Sequence, residues 1–157
     1  MWDLKDKLVV ITGATNGIGK AAALEIAKHG PRMLLTFRNQ GLADNLSLEL
    51  QAVNPNLKLD FLYCDFSSQE SIRGCAAEIL ALQQQIDVLV NNAGVVNTAY
   101  RETLEGIENT FAVNHLGYFL LTNLILEQML GEEETRIINV SSAAHSFVKK
   151  INWPDIN

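Results

Sequence analysis

Three stretches of this chain hold residues whose types and spacing could do chemistry. The first is Thr12-Gly13-Ala14-Thr15-Asn16-Gly17-Ile18-Gly19, set directly behind the apolar run Leu8-Val9-Val10-Ile11. Glycine lacks the Cβ that keeps a ligand off the backbone, and a helix opening behind such a turn presents unpaired N–H groups and a partial positive charge. A pyrophosphate suits that environment, with Gly19, read here as the first residue of the helix, leaving room for it. The second stretch is Asn91-Asn92-Ala93-Gly94, where small residues let backbone lie against a ribose while the amide side chains tie neighbouring loops together. The third is Ser141-Ser142 with His145, a pair of hydroxyls and an imidazole behind another apolar run.

Spacing sorts the chemistries. A Walker A loop places its second glycine directly before a Lys and then a Ser or Thr that ligates magnesium. Here Gly13 and Gly19 stand one residue too far apart, and Lys20 is followed by Ala21. The common dinucleotide fingerprint wants glycines at offsets of about two and five, whereas these are Gly13, Gly17 and Gly19. On the glycines alone, a tight structural turn remains the alternative. A serine hydrolase would set its nucleophile inside Gly-x-Ser-x-Gly, but Val140 and Ala144 hold the glycine positions around Ser142. His145 has no elbow, acid partner or oxyanion glycine to make a dyad with it. Cys64 and Cys75 lack metal-ligand spacing and read as buried free thiols, so no metal site is expected.

The elements that must position these residues follow from hydrophobic patterning. Leu8–Ile11 has no polar alternation, as suits a strand buried on both faces of a parallel sheet. The helix behind it sets Ile18, Ala22 and Ile26 on one stripe and stops at Gly30-Pro31. A second strand, Met33–Phe37, leads into Arg38. No Asp or Glu occurs between Met33 and Asn39. An acid at this strand end holds the ribose 2′-hydroxyl of NAD, whereas an Arg nearby accommodates the 2′-phosphate of NADP. Arg38 therefore points to NADP(H) over NAD(H), the alternative being a solvated surface residue. Leu42–Val53 reads as an amphipathic helix and Leu57–Tyr63 as a third strand running into Cys64-Asp65-Phe66. Ser67 and Glu70 match a capping box for a helix reaching about Gln84. Ile86–Val90 is a fourth strand and Arg136–Val140 a fifth. Between them Glu105–Leu130 is the longest helical stretch, with Asn114 among apolar residues near Phe111 and Tyr118. If buried, its amide must find partners, since an unpaired one costs about 1–3 kcal/mol. Gly131 and the acidic run Glu132–Glu134 form a solvated connection.

Length and charge bound the rest. The 157 residues, 48% hydrophobic, suffice for one domain with a real core. A net charge of −6 offers no basic face for nucleic acid, and Met1 to Lys7 has no apolar segment to serve as signal or membrane anchor. The default is cytoplasmic.

Thr-Gly-x-x-x-Gly-x-Gly, the strand-end Asp65, Asn-Asn-Ala-Gly, the segment Phe111 to Thr122 around Asn114, and Asn-Val-Ser-Ser-Ala-Ala-His occur in that order. Together they resemble the short-chain dehydrogenase/reductase family, and their wording is closest to its retinol-dehydrogenase-like branch. The resemblance runs from Lys7 to the end of the chain. It implies an α/β fold, a doubly wound parallel sheet in strand order 3-2-1-4-5, and an NADP(H)-dependent oxidoreductase acting on a small-molecule alcohol or carbonyl. It implies cofactor contacts from Gly13, Thr15, Asn16, Gly17, Ile18, Gly19, Arg38, Asp65 (to the adenine), Asn91, Ala93 and Gly94. Asn114 would perturb its helix and hold a water of the proton relay through its backbone carbonyl. Ser142 would hydrogen-bond the substrate carbonyl. The family's Tyr-x-x-x-Lys motif does not occur: Tyr63, Tyr100 and Tyr118 all precede Ser142 and none is followed four residues later by Lys. The chain, ending at Asn157, is thus expected to be one NAD(P)-binding domain lacking the family's Tyr-bearing helix and substrate loop. An inactive truncated oxidoreductase, a non-catalytic nucleotide-binding or regulatory module, and an unstable product prone to self-association are the readings that follow.

Overall fold

The computed structural model describes residues 3–131, 134–147, 149–150 and 152–154. Five strands, β1 (Leu8–Ile11), β2 (Arg32–Phe37), β3 (Lys58–Tyr63), β4 (Val88–Asn91) and β5 (Arg136–Asn139), form one parallel sheet in the order β3-β2-β1-β4-β5. This is the expected order. Alternate residues of β1 enter two separate cores. Leu8 and Val10 pack with residues of α3 (Gln69–Ala81) and α5 (Gly117–Ile125), while Val9 and Ile11 pack with α1 (Gly17–Ala27) and α2 (Gln40–Val53). With both faces covered, a strand can be apolar throughout, and each fully buried aliphatic side chain contributes about 1.5–3 kcal/mol. The order reverses at β1, whose neighbours β2 and β4 lead to opposite sides, so a crevice opens at the carboxyl ends of β1 and β4.

Several local expectations are corrected. Helix α1 opens at Gly17, two residues before Gly19, because Asn16 caps it by accepting the Gly17 N–H at 2.8 Å. Its buried stripe is Gly19, Ala23 and Ala27 rather than Ile18, Ala22 and Ile26, and Ile18 is 68% exposed. Small residues let the helix backbone approach the sheet, while Leu24 and Ile26 pack, half-buried, against the same core. Helix α3 is capped by Ser68, which accepts from the Ser71 N–H, and not by Ser67; it ends at Ala81 rather than near Gln84. With Ser68 as cap, Glu70 falls one position short of the box. Strand β4 begins at Val88 and includes Asn91; Asp87 at its head donates its N–H to the Leu8 carbonyl (3.0 Å) and accepts the Leu8 N–H on its carboxylate (2.7 Å).

The long stretch from Glu105 is interrupted. Thr103 to Ile107 forms a turn closed by the Thr103 N–H on the Ile107 carbonyl, with Gly106 at φ 74°. Helix begins only at α4 (Asn109–Phe111), behind Glu108, and passes through a π-helical turn at Ala112–Leu116 into α5 and a 3₁₀ turn at Leu126–Met129. In the acidic connection, Glu132 and Glu133 lie outside the described residues, as do Met1, Trp2 and the end at Asn157; Glu134 pairs with Arg136. Strand β5 is an edge with all four residues exposed.

Candidate functional site

The two glycine-bearing turns at the crevice are joined by side chains that keep them in register. Thr12, fully buried, accepts the N–H groups of Asn92 (2.8 Å) and Ala93 (3.0 Å) on Oγ1 and donates from it to the Val90 carbonyl (3.3 Å). Asn92 answers from the other side, its Nδ2 donating to the carbonyls of Thr12 (2.9 Å) and Gly13 (3.0 Å). Gly13 is held at φ 62° with its N–H on Thr36 Oγ1, and a Cβ there would sit 2.7 Å from the Ala93 Cα. Gly13 thus permits the approach of the two turns.

Gly19 serves the same contact. A Cβ on it would lie 2.3 Å from Asn92 Nδ2 and 2.5 Å from the Gly13 carbonyl. Its glycine is demanded by packing within the protein, a reason the sequence reading did not give. The open position is Gly17, at φ 53°, where a Cβ would meet nothing within 4 Å.

These turns wall a cleft of about 500 Å³. Gly13, Thr15, Asn16, Gly17 and Ile18 line one side, Ala93 and Gly94 the other, and Arg38 with Asn39 the end beyond β2. The exposure of Ile18 is explained by its place on this wall. Asp65 stands at the Arg38 end, outside the lining: its Oδ1 accepts both the N–H (2.9 Å) and the hydroxyl (2.8 Å) of Ser67 and lies 3.6 Å from Arg38 Nη1. Its role in the turn is that of an Asx residue, and Oδ2 has no hydrogen bond among the described residues.

The remaining expected site residues fall elsewhere. The Asn91 side chain is buried beneath the crevice, donating to Thr122 Oγ1 (3.0 Å) and Asn139 Oδ1 (2.8 Å), and it ties β4 to β5 and α5. Asn114 lies in the π turn, where the Gly117 N–H reaches back to the Ala112 carbonyl. It is exposed rather than a core residue between helices. Its amide is fully paired with one backbone unit, Oδ1 accepting the Val95 N–H (2.8 Å) and Nδ2 donating to the Val95 carbonyl (2.9 Å). Val95 lines the cleft, so Asn114 fixes the wall without being part of it. Ser142 sits on exposed chain just beyond Val140, a lining residue, and its Oγ accepts the Ala144 N–H at 3.2 Å. His145 Nδ1 lies 2.8 Å from the Ser142 carbonyl oxygen rather than its hydroxyl, which leaves no dyad.

Local electrostatics shift several groups around the site. Burial raises the Glu108 carboxyl, but the Thr110 and Phe111 N–H groups outweigh it and hold the acid below its ordinary range at the head of α4. Tyr118, packed edge-on to Phe66, is pushed up to about 12 by burial. Cys64 and Cys75 are buried free thiols, as expected, and the hydrogen bond between them, with burial, raises Cys64.

Sequence reasoning missed Thr36, named Thr12 in the glycine turn without giving it a role, and expected the asparagine amides to tie loops together without counting Asn92 among the site residues. Thr36 is the one polar residue in Met33–Phe37, and that lone hydroxyl in a buried strand is the signal that could have found it. Nothing local distinguishes Asn92, which faces the glycine turn, from Asn91, which faces β5.

The model of the short chain dehydrogenase family matches residues 7–154. The chain is similar to human retinol dehydrogenase 13, at 39% identity over 96% of this chain and 45% of that protein. It is also similar to human retinol dehydrogenase 11, at 42% identity over 90% of this chain and 45% of that protein. Among solved structures, a metagenomic short-chain oxidoreductase in complex with NADP superposes with a TM-score of 0.76 and 31% identity, covering 91% of this chain and 65% of that one. The chain spans about half the length of the curated relatives it matches. No helix among the described residues is long and apolar enough to cross a membrane. With the glycine turn, the Asn-Asn-Ala-Gly turn and the strand order all in place, the chain belongs to the short-chain dehydrogenase family.

Proposed function

We propose that the cleft binds a nicotinamide dinucleotide, NADP(H) in preference to NAD(H), as one dinucleotide-binding unit of an oxidoreductase for small alcohols or carbonyls. The observation that carries this reading is the pair of turns locked by Thr12 and Asn92, which leaves the open Gly17 and Ile18, at the start of α1, lining a cleft that ends at Arg38. The residues present fit such a ligand. Gly17 and the α1 N-terminus suit a pyrophosphate, Ala93 and Gly94 suit a ribose against backbone, and the unbonded Oδ2 of Asp65 suits the adenine amine. Arg38 suits the 2′-phosphate, in a charge-assisted contact worth about 1.5–3 kcal/mol. The cofactor, when bound, supplies or accepts the hydride. Asn114 holds the Val95 segment and offers its backbone carbonyl to a water, while Ser142 hydrogen-bonds the substrate carbonyl.

The 157 residues are read as binding without useful turnover. A positioned general acid contributes about 10²–10⁴ in rate, and the family's Tyr-x-x-x-Lys motif does not occur in these residues. Ser142, whose hydroxyl is exposed and, among the described residues, bonded only to its own turn, favours this reading over an active enzyme. A reducing, cytoplasmic setting accords with the adjacent free thiols Cys64 and Cys75. Fluorescence titration of NADPH and NADH against the wild type and Arg38→Ala is the test. NADPH should bind more tightly, and the difference should vanish in Arg38→Ala; equal wild-type affinities would remove the NADP(H) assignment.

A further inference from the structure

Resting on that reading, we infer that Asp65 limits how strongly the cleft distinguishes a nucleotide bearing a 2′-phosphate from one without it, by holding Arg38 as its counter-charge. Arg38 Nη1 lies 3.6 Å from Asp65 Oδ1, so the cation at the β2 end of the cleft is already matched by a carboxylate fixed through two hydrogen bonds from Ser67. The pair is loosely held. The Arg38 side chain is 57% exposed and Asp65 28%, and an exposed pair at this distance is a weak lock that a closer dianion displaces. A 2′-phosphate must therefore draw the guanidinium away from Asp65, a cost that a ribose 2′-hydroxyl does not meet. The carboxylate is consequently a selectivity element set against Arg38: the guanidinium favours the phosphate, and Asp65 moderates that preference. Asp65 touches the adenosine end in either nucleotide, so a contact with the base does not alter the ratio.

The probes are 2′,5′-ADP and 5′-AMP, titrated calorimetrically against the whole chain as wild type, Asp65→Asn, Arg38→Ala and the double variant. Asparagine keeps an oxygen for the Ser67 N–H and hydroxyl, so the turn is retained, and far-UV circular dichroism checks it. Asp65→Asn should raise the preference for 2′,5′-ADP over 5′-AMP by about three- to tenfold at low salt. In the Arg38→Ala background the same change should shift the preference less than about twofold. A preference unmoved by Asp65→Asn, or moved equally in both backgrounds, overturns the inference while leaving nucleotide binding intact. Folded wild-type chain that binds neither probe overturns the dinucleotide reading as well. As a check free of substitution, the Arg38 guanidinium N–H resonances should move on adding 2′,5′-ADP and stay in place with 5′-AMP; identical shifts with both count against it.

Discussion

Replacing Gly19 with alanine separates a packing role of the glycine turn from a ligand role. The added methyl would stand 2.3 Å from Asn92 Nδ2 and 2.5 Å from the Gly13 carbonyl. Asn92 must then swing out and give up its bonds to the Thr12 and Gly13 carbonyls, at about 0.5–1.5 kcal/mol each. Moving the Gly13 backbone adds an overpacking cost of about 1–3 kcal/mol. Against this, alanine inside α1 gains about 1 kcal/mol of helix propensity. The net is a destabilisation of about 3 kcal/mol, or roughly 10 °C in melting temperature for a chain of this size. Urea unfolding without nucleotide is the assay, because the loss is expected in the free protein. Gly17→Ala is the control: nothing lies within 4 Å of its Cβ, so it should lose only the φ 53° strain of about 1–2 kcal/mol while weakening nucleotide binding. A Gly19→Ala protein within about 0.5 kcal/mol of wild type would refute the packing argument.

Other expectations concern the flanks of the site. The Glu108 carboxyl is held low in the folded chain, so its capping contribution, about 0.5–1 kcal/mol, is present above the ordinary value of 4.5 and lost as pH falls through the folded-state value. Urea midpoints of Glu108→Gln and wild type should therefore converge in acid and separate above that range. The β5 edge exposes Ile137 (41%) and Ile138 (46%), so self-association through it is the expected outcome; Ile138→Lys should lower the associated fraction in sedimentation, and no change would exonerate the edge. Cys64 and Cys75 should resist a disulfide reagent in the folded chain and react promptly in urea, since burial and their mutual hydrogen bond keep Cys64 protonated.

The legibility of the sequence follows the range of the forces involved. Strands β1, β2 and β4 are visible as short, mostly apolar runs, whereas β3 carries Lys58 and Asp60 among its apolar residues and β5 has only Ile137 and Ile138; their order comes with the family resemblance that the motifs carry. The α1 stripe misleads wherever size is the sign of burial, because Gly19, Ala23 and Ala27 are buried for being small. The break before α4 depends on Glu108 and on the Thr103–Ile107 closure, and helical periodicity runs through both without a mark. The cleft-lining residues of the glycine turn fall within one short run, Gly13 to Ile18, and so can be named in advance. Thr12, Asn92 and Thr36 act between strands far apart in sequence, and only the assembled sheet shows which hydroxyl meets which amide.

The central claim is that a dinucleotide occupies the crevice between the β1 and β4 turns. Titrating NADPH into ¹⁵N-labelled protein tests it most directly. The account expects saturable shifts concentrated in the amides of Gly13, Asn16, Gly17, Arg38, Ala93 and Gly94, with those of α3 and the β3 edge unmoved. A folded chain whose amides stay in place, or shift only around Phe119 and Leu120 at the separate apolar pocket beside α5, would contradict it.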